Sequence, residues 1–240
     1  MSEAAGRSLS AQPRAAGAPG SPSQPDADGD LELVLVRHAE TAWSLSGQHT
    51  GRTDLALTDT GREVARGLRG PLRGFRPARV LVSPLARARE TCLLAGLDAH
   101  AEVRDELTEW DYGSYEGRTT RDIRRERPDW DLWRDGSPGG ESAAAVGARV
   151  DSLLADLAQA RGSVAVFSHG HVLRVLGARW VGLEAAAGAL LALSTGAISV
   201  LGHERERRVL WRWNEQPTPD RDLGAEPLVR AQVPPEQAHL

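Results

Sequence analysis

Short apolar runs that end in polar side chains constrain the fold of this chain most strongly. The first run covers residues 31–36 and is followed directly by Arg37-His38-Ala39-Glu40-Thr41. A second run, residues 163–168, leads straight into His169. Runs of this length and composition are typical of buried strands. Because open α/β sheets place their ligand crevice beyond the carboxyl ends of the strands, both histidines are predicted to lie at such a crevice.

Strand patterns alternate with helical patterns along most of the chain. Apolar and β-branched residues predict further strands at residues 79–82, 197–202 and 208–213. Helical patterns occupy residues 58–70, 86–96, 119–127, 142–160 and 171–182. This alternation predicts an α/β fold, a three-layer α/β/α sandwich with a mostly parallel central sheet. The last two strands are predicted to pair as a hairpin through Gly202-His203-Glu204.

The length and composition predict one folded domain with two tails. A chain of 240 residues with 40% hydrophobic content is ordinary for a globular domain with a substantial core, here predicted at residues 31–214. Residues 1–30 are rich in Ala, Gly, Pro and Ser and lack the apolar region of a secretory signal. Residues 215–240 contain five prolines. Both tails are predicted to be disordered.

The charge and cysteine content argue against several classes of protein. A formal net charge of -4 predicts neither a nucleic-acid surface nor a polybasic membrane face. No stretch reaches the roughly 20 apolar residues that span a bilayer, so no membrane association is expected. Cys92 is the one cysteine, which excludes an internal disulfide and suits a cytoplasmic location.

Two further segments carry side chains that suit chemistry on an anion. Arg87 lies in the first turn of the predicted helix that follows the strand at residues 79–82. Glu109 lies in the acidic, aromatic and glycine-punctuated segment 107–117, which is predicted to be an irregular loop. An arginine held beside an imidazole, as in Arg37-His38, offsets the charge of an anionic substrate, and phosphate is the obvious candidate.

Each of these residues, taken alone, also has an ordinary structural interpretation. His38 would then bond to the backbone, Arg87 would be a helix-surface charge and Glu109 an exposed loop acid. Nearby, Arg89 is expected to be solvated, while Glu90 either pairs along the helix or steadies an active-site arginine. The joint occurrence of these residues, each after the expected element, favours a shared site.

The order Arg37-His38, Arg87, Glu109 and His169 resembles the histidine phosphatase superfamily. That superfamily includes cofactor-dependent phosphoglycerate mutases, sugar bisphosphatases and acid phosphatases. The resemblance covers about residues 31–214 and implies the phosphoglycerate mutase-like α/β fold. A run of the form Ser-x-x-Gly-Gln-x-Thr-Gly, starting at residue 44, is similar to the acid phosphatase and sedoheptulose bisphosphatase branch.

The resemblance implies a role for each residue of this set. His38 is the nucleophile that accepts the phosphoryl group, Arg37, Arg87 and His169 surround the phosphate, and Glu109 is the proton donor. A neutral imidazole nitrogen attacks phosphorus without a base, provided that a bond from its other nitrogen fixes the tautomer. Planar guanidinium groups bind phosphate oxygens in a fork. Highest activity is expected at acidic to near-neutral pH.

A second set of residues is predicted to contact the substrate: Ser44, Gln48, Thr50, Gly51 and Gly170. The first four lie in the segment 43–54, which is predicted to be neither helix nor strand. Many members of the family have asparagine where Ser44 stands, and the serine hydroxyl still has one hydrogen bond to donate to phosphate. An ordinary surface turn is the alternative interpretation of Gln48, Thr50 and Gly51.

The segment after the second histidine is predicted to start a helix. The backbone N–H groups of Gly170 and His171 would then face a phosphate. A metal ion held by His169 and His171 is not expected, because no third ligand follows at the usual spacing.

These observations predict a phosphomonoesterase that works through a phosphohistidine on His38 and needs neither a metal nor another cofactor. Its partner is a small phosphorylated substrate. The substrate range is either broad, as in acid phosphatases, or centred on a sugar phosphate or bisphosphate. A homodimer is left open.

Two alternatives remain. The first is a cofactor-dependent phosphoglycerate mutase, although residues 118–163 are too short for the large lid that would exclude water. Arg118 and Arg121 would either bind a second substrate phosphate or lie on a basic exposed helix face. The second alternative is a non-catalytic module that binds a phosphorylated ligand, and it is disfavoured because every proposed catalytic position is filled.

Overall fold

The computed structural model describes residues 30–217. Disorder is predicted at residues 1–30 and 215–240, of which residues 1–29 and 218–240 lie outside the described residues. The predicted boundary at residue 215 is wrong, because Glu215 is the last residue of the final strand. Within the described range, no helix is both long and apolar enough to cross a membrane.

Six strands form one mixed sheet in the described part of the chain. They are β1 (Glu32–Arg37), β2 (Arg79–Val82), β3 (Ala101–Val103), β4 (Ser163–Ser168), β5 (Ile198–Glu204) and β6 (Arg207–Glu215). Their order across the sheet is β3-β2-β4-β1-β5-β6. The four strands from β3 to β1 run parallel, and β5 and β6 are antiparallel to their neighbours. The predicted mostly parallel sheet is thus confirmed.

Helices cover both faces of this sheet. They are α1 (Ala42–Ser46), α2 (Asp59–Gly67), α3 (Arg69–Leu72), α4 (Ala86–Ala95), α5 (Thr120–Glu126), α6 (Leu132–Asp135), α7 (Ala143–Asp156) and α8 (Gly170–Trp180). Short 3₁₀ turns span Asp105–Leu107, Gly113–Tyr115 and Ala185–Leu190.

The central strand β1 supplies both hydrophobic cores because successive strand side chains point to opposite faces. Leu33 and Leu35 join the larger core, to which α7 and α8 contribute. Val34 and Val36 join the second core, which includes side chains of α3 and α4. A strand buried on both faces explains why residues 31–36 are apolar almost throughout.

The strand register brings three strand ends together. Arg37 at the end of β1 pairs with Ser168 at the end of β4. Val82 at the end of β2 pairs with Phe167 of β4. The residues that follow these three strands therefore start from adjacent points on one edge of the sheet.

Four details differ from the sequence predictions. Helix α6 was not predicted, because it has only four residues. Strand β3 was not predicted, because it has three residues of which Glu102 and Val103 are exposed, so it carries no apolar run. The segment 43–54 does contain a helix, α1, whose first turn is closed by Thr41 and Ser44. The hairpin between β5 and β6 is confirmed, but it turns after Glu204, with Arg205 at a φ of 54°.

Candidate active site

His38 follows β1 directly and is buried, with 5% of its surface exposed. Its backbone N–H donates to the carbonyl of Ser168 across 2.8 Å, which ties it to the end of β4. The ring Nδ1 lies 2.7 Å from the carbonyl oxygen of Ala39. A carbonyl only accepts, so Nδ1 carries the proton and donates it. The lone pair therefore resides on Nε2, and this nitrogen is free to act as a nucleophile.

The surroundings of His38 keep its ring neutral. Burial lowers the pKa of His38 well below 6.5, and the positive charges of Arg37 and Arg87 lower it further. Desolvation and nearby cations both disfavour the imidazolium form. The Nε2 lone pair thus stays available at neutral and mildly acidic pH.

His169 follows β4 and is fully buried, with its ring centroid 5.2 Å from that of His38. Its Nδ1 accepts from Nε of Arg87 across 3.1 Å, so its Nε2 carries the proton and donates to Oγ of Ser83 across 2.7 Å. Burial, followed by the charge of Arg87, lowers the pKa of His169. Ser83 was missed as a site residue, although its position directly after β2 was a usable signal.

Arg87 lies in the first turn of α4 with its side chain fully buried. Besides its bond to His169, it donates to the carbonyls of Thr50, Gly51 and Thr53 at 2.9 to 3.0 Å. An arginine has five N–H groups, so one remains for a ligand. The predicted two-pronged binding of phosphate by Arg87 is therefore limited to one N–H in this conformation.

Arg37 is less fully committed to the protein than Arg87. One terminal nitrogen donates to the carbonyl of Leu193. Its Nε is buried and has no hydrogen-bond partner among the described residues. The guanidinium lies against Gly170, where an added Cβ would stand 3.2 Å from Cζ of Arg37. A buried N–H without a partner, beside a neutral imidazole, is suited to receive an oxygen of an anion.

Glu109 is buried and accepts three backbone hydrogen bonds. Its carboxylate accepts from the N–H groups of Trp110, His171 and Val172 at 2.9 to 3.0 Å. The last two N–H groups belong to the first turn of α8, so Glu109 caps that helix in place of the N-cap side chain. Its charge also faces Arg37 and Arg87.

The helix predicted after His169 is present, but two N–H groups of its first turn donate to Glu109. The N–H of His171 was expected to face a phosphate, and this is wrong, because it donates to Glu109. The contact predicted for Gly170 stays a prediction.

Ser44 does not fill the predicted role of a phosphate donor. Its hydroxyl donates to the carbonyl of Thr41 and accepts the N–H of Thr41, both at 2.9 Å. The bond from the N–H of Thr41, together with the bond from the N–H of Ser44 to Oγ1 of Thr41, forms the capping box of α1. The one hydroxyl proton is thereby used within the helix.

The other residues of this loop make internal bonds. Gln48 donates to the carbonyl of Gly117 across 2.7 Å and accepts from Ser46 across 2.6 Å. The hydroxyl of Thr50 donates to the carbonyl of Gln48, and Gly51 donates its N–H to Glu116. The loop is thus firmly held, and direct substrate contacts of these three residues stay predictions.

The charged residues near the site either pair with other side chains or are exposed. Glu90 was considered as a partner of an active-site arginine, but it accepts from Arg62 across 2.6 Å instead. Arg89 is exposed, as expected. Arg118 donates to Glu126 across 2.6 Å, while Arg121 is exposed on an open groove along α5. A second phosphate at Arg118 or Arg121 stays a prediction.

A second group of rings lies beside the first. The hydroxyl of Tyr112 is 2.6 Å from Nδ1 of His171, and the ring of His49 is 4.7 Å from that of Tyr112. Burial raises the pKa of Tyr112 and lowers that of His171, so the phenol is the donor in this bond. Burial also lowers the pKa of His49 to about 4. His49 was not predicted to belong to the site, although it stands between the predicted contacts Gln48 and Thr50.

No group of three or more His, Cys, Asp or Glu side chains within residues 30–217 has the arrangement of a metal site. Cys92 is buried on α4, which agrees with a packing role. The chemistry available at the sheet edge is therefore that of two neutral imidazoles, two guanidinium groups and one carboxyl group.

The chain is similar in sequence to known phosphatases. The model of the histidine phosphatase superfamily (branch 1) matches residues 33–216. The chain is 47% identical over 183 residues to an acid phosphatase of Mycobacterium tuberculosis, which covers 74% of this chain and 89% of the relative. It is 37% identical over 184 residues to the sedoheptulose 1,7-bisphosphatase of Saccharomyces cerevisiae, covering 62% and 67%.

Solved structures agree with these sequence matches. The structure of an open reading frame product of Mycobacterium tuberculosis superposes with a TM-score of 0.73 at 44% identity. The match covers 78% of this chain and 98% of that protein.

Proposed function

The chain belongs to the histidine phosphatase superfamily (branch 1), and on that premise we propose that it hydrolyses phosphomonoesters, sugar phosphates among them, with His38 as the nucleophile. One observation carries the assignment of the nucleophile. The bond from Nδ1 of His38 to the carbonyl of Ala39 leaves the Nε2 lone pair free, in a ring that burial and then two arginines keep neutral.

The first step is the binding of the phosphate group. The unpartnered Nε of Arg37 and the remaining N–H of Arg87 supply donors close to His38. Phosphoryl transfer depends mainly on positioning and on charge stabilisation, which fixed cations provide. Loss of one such donor typically costs about 3 kcal/mol of activation free energy.

The second step is transfer of the phosphoryl group to His38. Nε2 forms a bond to phosphorus while the bond from phosphorus to the ester oxygen breaks. Glu109 takes up a proton from solvent before this step, on Oε2, which accepts one N–H where Oε1 accepts two. It gives this proton to the departing oxygen, which leaves as an alcohol. General acid catalysis of this kind contributes about 10²- to 10⁴-fold.

The third step is hydrolysis of the phosphohistidine. Glu109, now a carboxylate, takes a proton from a water molecule as the water oxygen attacks phosphorus. The nitrogen–phosphorus bond breaks, inorganic phosphate leaves, and His38 returns to its neutral form. No metal enters this sequence of steps.

The segment between the Glu109 loop and β4 favours hydrolysis over the mutase reaction. Residues 118–162 form α5, α6 and α7, and buried side chains of all three helices belong to the larger core. These helices are part of the fold rather than a separate lid. Arg118 is paired with Glu126, which supports a structural role for this arginine.

The proposal includes a cytoplasmic location and a domain that spans residues 31–215. The buried thiol of Cys92, unpaired within the described residues, suits a reducing compartment. A homodimer is compatible with this fold and is left open.

The test is phosphate release from a panel of phosphomonoesters in the presence of EDTA. We expect turnover of several substrates by the wild type and none by His38→Ala. His100→Ala, which removes an exposed histidine, is the matched control and is expected to retain activity. Equal activity of His38→Ala and wild type would refute the assignment, and isomerisation of phosphoglycerate without phosphate release would favour the mutase.

A further inference from the structure

The buried guanidinium of Arg87 is surrounded by backbone carbonyls of a single loop. Thr50, Gly51 and Thr53 each present a carbonyl oxygen to it at 2.9 to 3.0 Å. The orientation of Arg87 therefore depends on how this loop, residues 50–53, is held. Any residue that fixes the loop also fixes the direction of the one N–H that Arg87 keeps for a ligand.

Glu116 fixes the loop from the opposite side. Both of its carboxylate oxygens accept from the N–H of Gly51, at 2.9 and 3.0 Å. Its Oε1 also accepts from the N–H of Thr53 across 3.1 Å. One carboxylate thus holds two backbone N–H groups of the loop whose carbonyls hold Arg87.

The peptide bond between Thr50 and Gly51 joins these two sets of contacts. In a trans peptide the N–H and the C=O point in opposite directions within one plane. The N–H of Gly51 faces Glu116, so the carbonyl of Thr50 must face away from it, toward Arg87. Glu116 and Arg87 are therefore connected through one rigid unit.

Glu116 is itself well anchored. The N–H of Gly117 donates to the carbonyl of His49 across 2.8 Å, and the N–H of His49 donates to the carbonyl of Arg118 across 2.9 Å. These two bonds clamp the segment after Glu116 to the start of the loop.

The loop is also tightly packed at Gly51. A Cβ added to Gly51 would stand 2.5 Å from the carbonyl oxygen of Trp110 and 2.8 Å from Oε2 of Glu116. Burial lowers the pKa of Arg87, and the charge of Glu116 opposes this effect less than Glu109, Tyr112 and Asp54 do.

We propose that Glu116 is a positioning residue for the phosphoryl transfer, and that it acts through the loop at residues 50–53 to aim Arg87 at the phosphate. This inference rests on the proposed function of the site. Glu116 needs no contact with the substrate for this role. A carboxylate suits it because one oxygen accepts two N–H groups while the charge balances a buried cation.

The first test compares two substitutions of Glu116. Glu116→Ala removes both acceptors, and we expect kcat/KM to fall about 10- to 100-fold, as for other residues that orient a ligand-binding group. In Glu116→Gln the amide oxygen can occupy the place of Oε1 and accept one bond from each of the two N–H groups, while the bond from Gly51 to Oε2 and the negative charge are lost. We expect this variant to recover most of the loss, with its residual defect in KM rather than in kcat.

Asp131→Ala is the matched control. The carboxylate of Asp131 also accepts two backbone N–H groups, those of Trp133 and Arg134 in α6, but it holds no part of the loop. We expect this variant to lose stability and to keep its kcat/KM. A loss in Asp131→Ala equal to that in Glu116→Ala would overturn the proposal, because the effect would then be general destabilisation.

A double-mutant cycle tests whether Glu116 acts through Arg87. In an Arg87→Lys background the fork that contacts the loop is absent, so Glu116→Ala is expected to cause little further change. The same cycle is measured by calorimetry as affinity for inorganic phosphate, which needs no turnover. Fully additive losses in phosphate affinity would overturn the proposal.

The two proposals fail in different ways. Wild-type protein that binds inorganic phosphate but hydrolyses no ester would refute the proposed function, while coupling between Glu116 and Arg87 would still appear in the binding cycle. Active wild type with an unchanged Glu116→Ala would refute only the positioning role.

Discussion

His38 combines three properties that a nucleophilic imidazole needs, and each has a separate structural cause. The carbonyl of Ala39 fixes the tautomer, burial and two cations keep the ring neutral, and the end of β1 fixes its place in the sheet. The same arginines that suppress protonation of His38 are the proposed phosphate donors. Charge tuning and substrate binding are thus properties of one cluster.

The first prediction concerns the protonation of His38. Arg37 lowers the pKa of His38, so Arg37→Gln is expected to raise it, while burial still keeps it below the usual value. The acid limb of the rate profile should shift to higher pH. The pKa is measured from the ring nitrogen signals in an NMR titration, with Arg89→Gln as the control because Arg89 is exposed. An unchanged or lowered pKa of His38 in Arg37→Gln would contradict the electrostatic explanation.

Residue-level roles were predictable where a strand end or a helix start fixed the position. The places of His38 and His169 were predicted from the apolar runs before them, and that of Arg87 from the first turn of a helix. Their roles were implied by the family resemblance, and the structure brings the three residues together. The roles of Ser83 and Glu116 were not predicted. Both depend on hydrogen bonds to residues 63 or more positions away in the chain, which a local pattern does not reveal.

At the scale of elements, the site depends on irregular segments held by side chains. Glu109 caps α8 from a distant loop, and Glu116 holds the loop at residues 50–53. Loops that carry function are commonly positioned by a rigid scaffold. Here the hydrogen bonds of the Glu109 and Glu116 carboxylates hold these loops in place.

The second prediction concerns Gly51. Gly51→Ala places a Cβ within 2.5 Å of the carbonyl oxygen of Trp110, so the loop must shift. We expect a loss of about 1–3 kcal/mol in the free energy of unfolding, together with a lower kcat/KM because Arg87 shifts with the loop. Urea denaturation and steady-state kinetics measure the two effects.

Gly67→Ala is the matched control for this prediction. Gly67 is the last residue of α2, and a Cβ there meets nothing within 4 Å. Its replacement should keep activity and either leave stability unchanged or raise it by up to about 1 kcal/mol. If Gly51→Ala behaved like Gly67→Ala, the loop would not be as tightly confined as the structure indicates.

Two of the elements that sequence patterns missed share one physical property. Strand β3 and helix α1 are short and lack buried apolar side chains of their own, apart from a partly buried alanine in β3 and the partly buried Trp43 in α1. Their hydrogen bonds come from a neighbouring strand in one case and from a capping box in the other. Hydrophobic periodicity therefore predicts the core elements of this fold well and its peripheral elements poorly.

At the scale of the whole molecule, the parallel strands determine where chemistry can occur. Strands β2, β4 and β1 are adjacent, and each ends at the same edge of the sheet. The resulting site contains several titratable groups buried in neutral form. That arrangement links stability to pH.

The third prediction is a loss of stability in acid. Burial lowers the pKa of His49 to about 4, and it lowers those of His38, His169 and His171 well below 6.5. Below about pH 6.5 the unfolded chain binds protons that the folded chain does not, so the free energy of unfolding should fall as pH decreases. This stability is fully present above about pH 6.5 and is lost as pH falls through the folded pKa values.

The slope of unfolding free energy against pH is measured by urea denaturation. His49 alone contributes at most about 1.4 kcal/mol per pH unit, so His49→Gln should flatten the slope by up to that amount. His100→Gln, which replaces an exposed histidine, should leave it unchanged. A slope of the opposite sign in wild type would contradict the burial of neutral histidines.

The most direct test of the mechanism is to trap the phosphorylated enzyme. Wild type is mixed with a ³²P-labelled phosphomonoester, and the reaction is stopped rapidly without acid. Peptide mass spectrometry should then find a phosphoryl group on His38 that is stable in base and labile in acid. His38→Ala should carry no label, and Glu109→Gln should both gain and lose the label more slowly than wild type because each step lacks its proton transfer. Turnover by wild type with the label on another residue, or with no labelled enzyme under conditions that preserve phosphohistidine, would contradict the central claim.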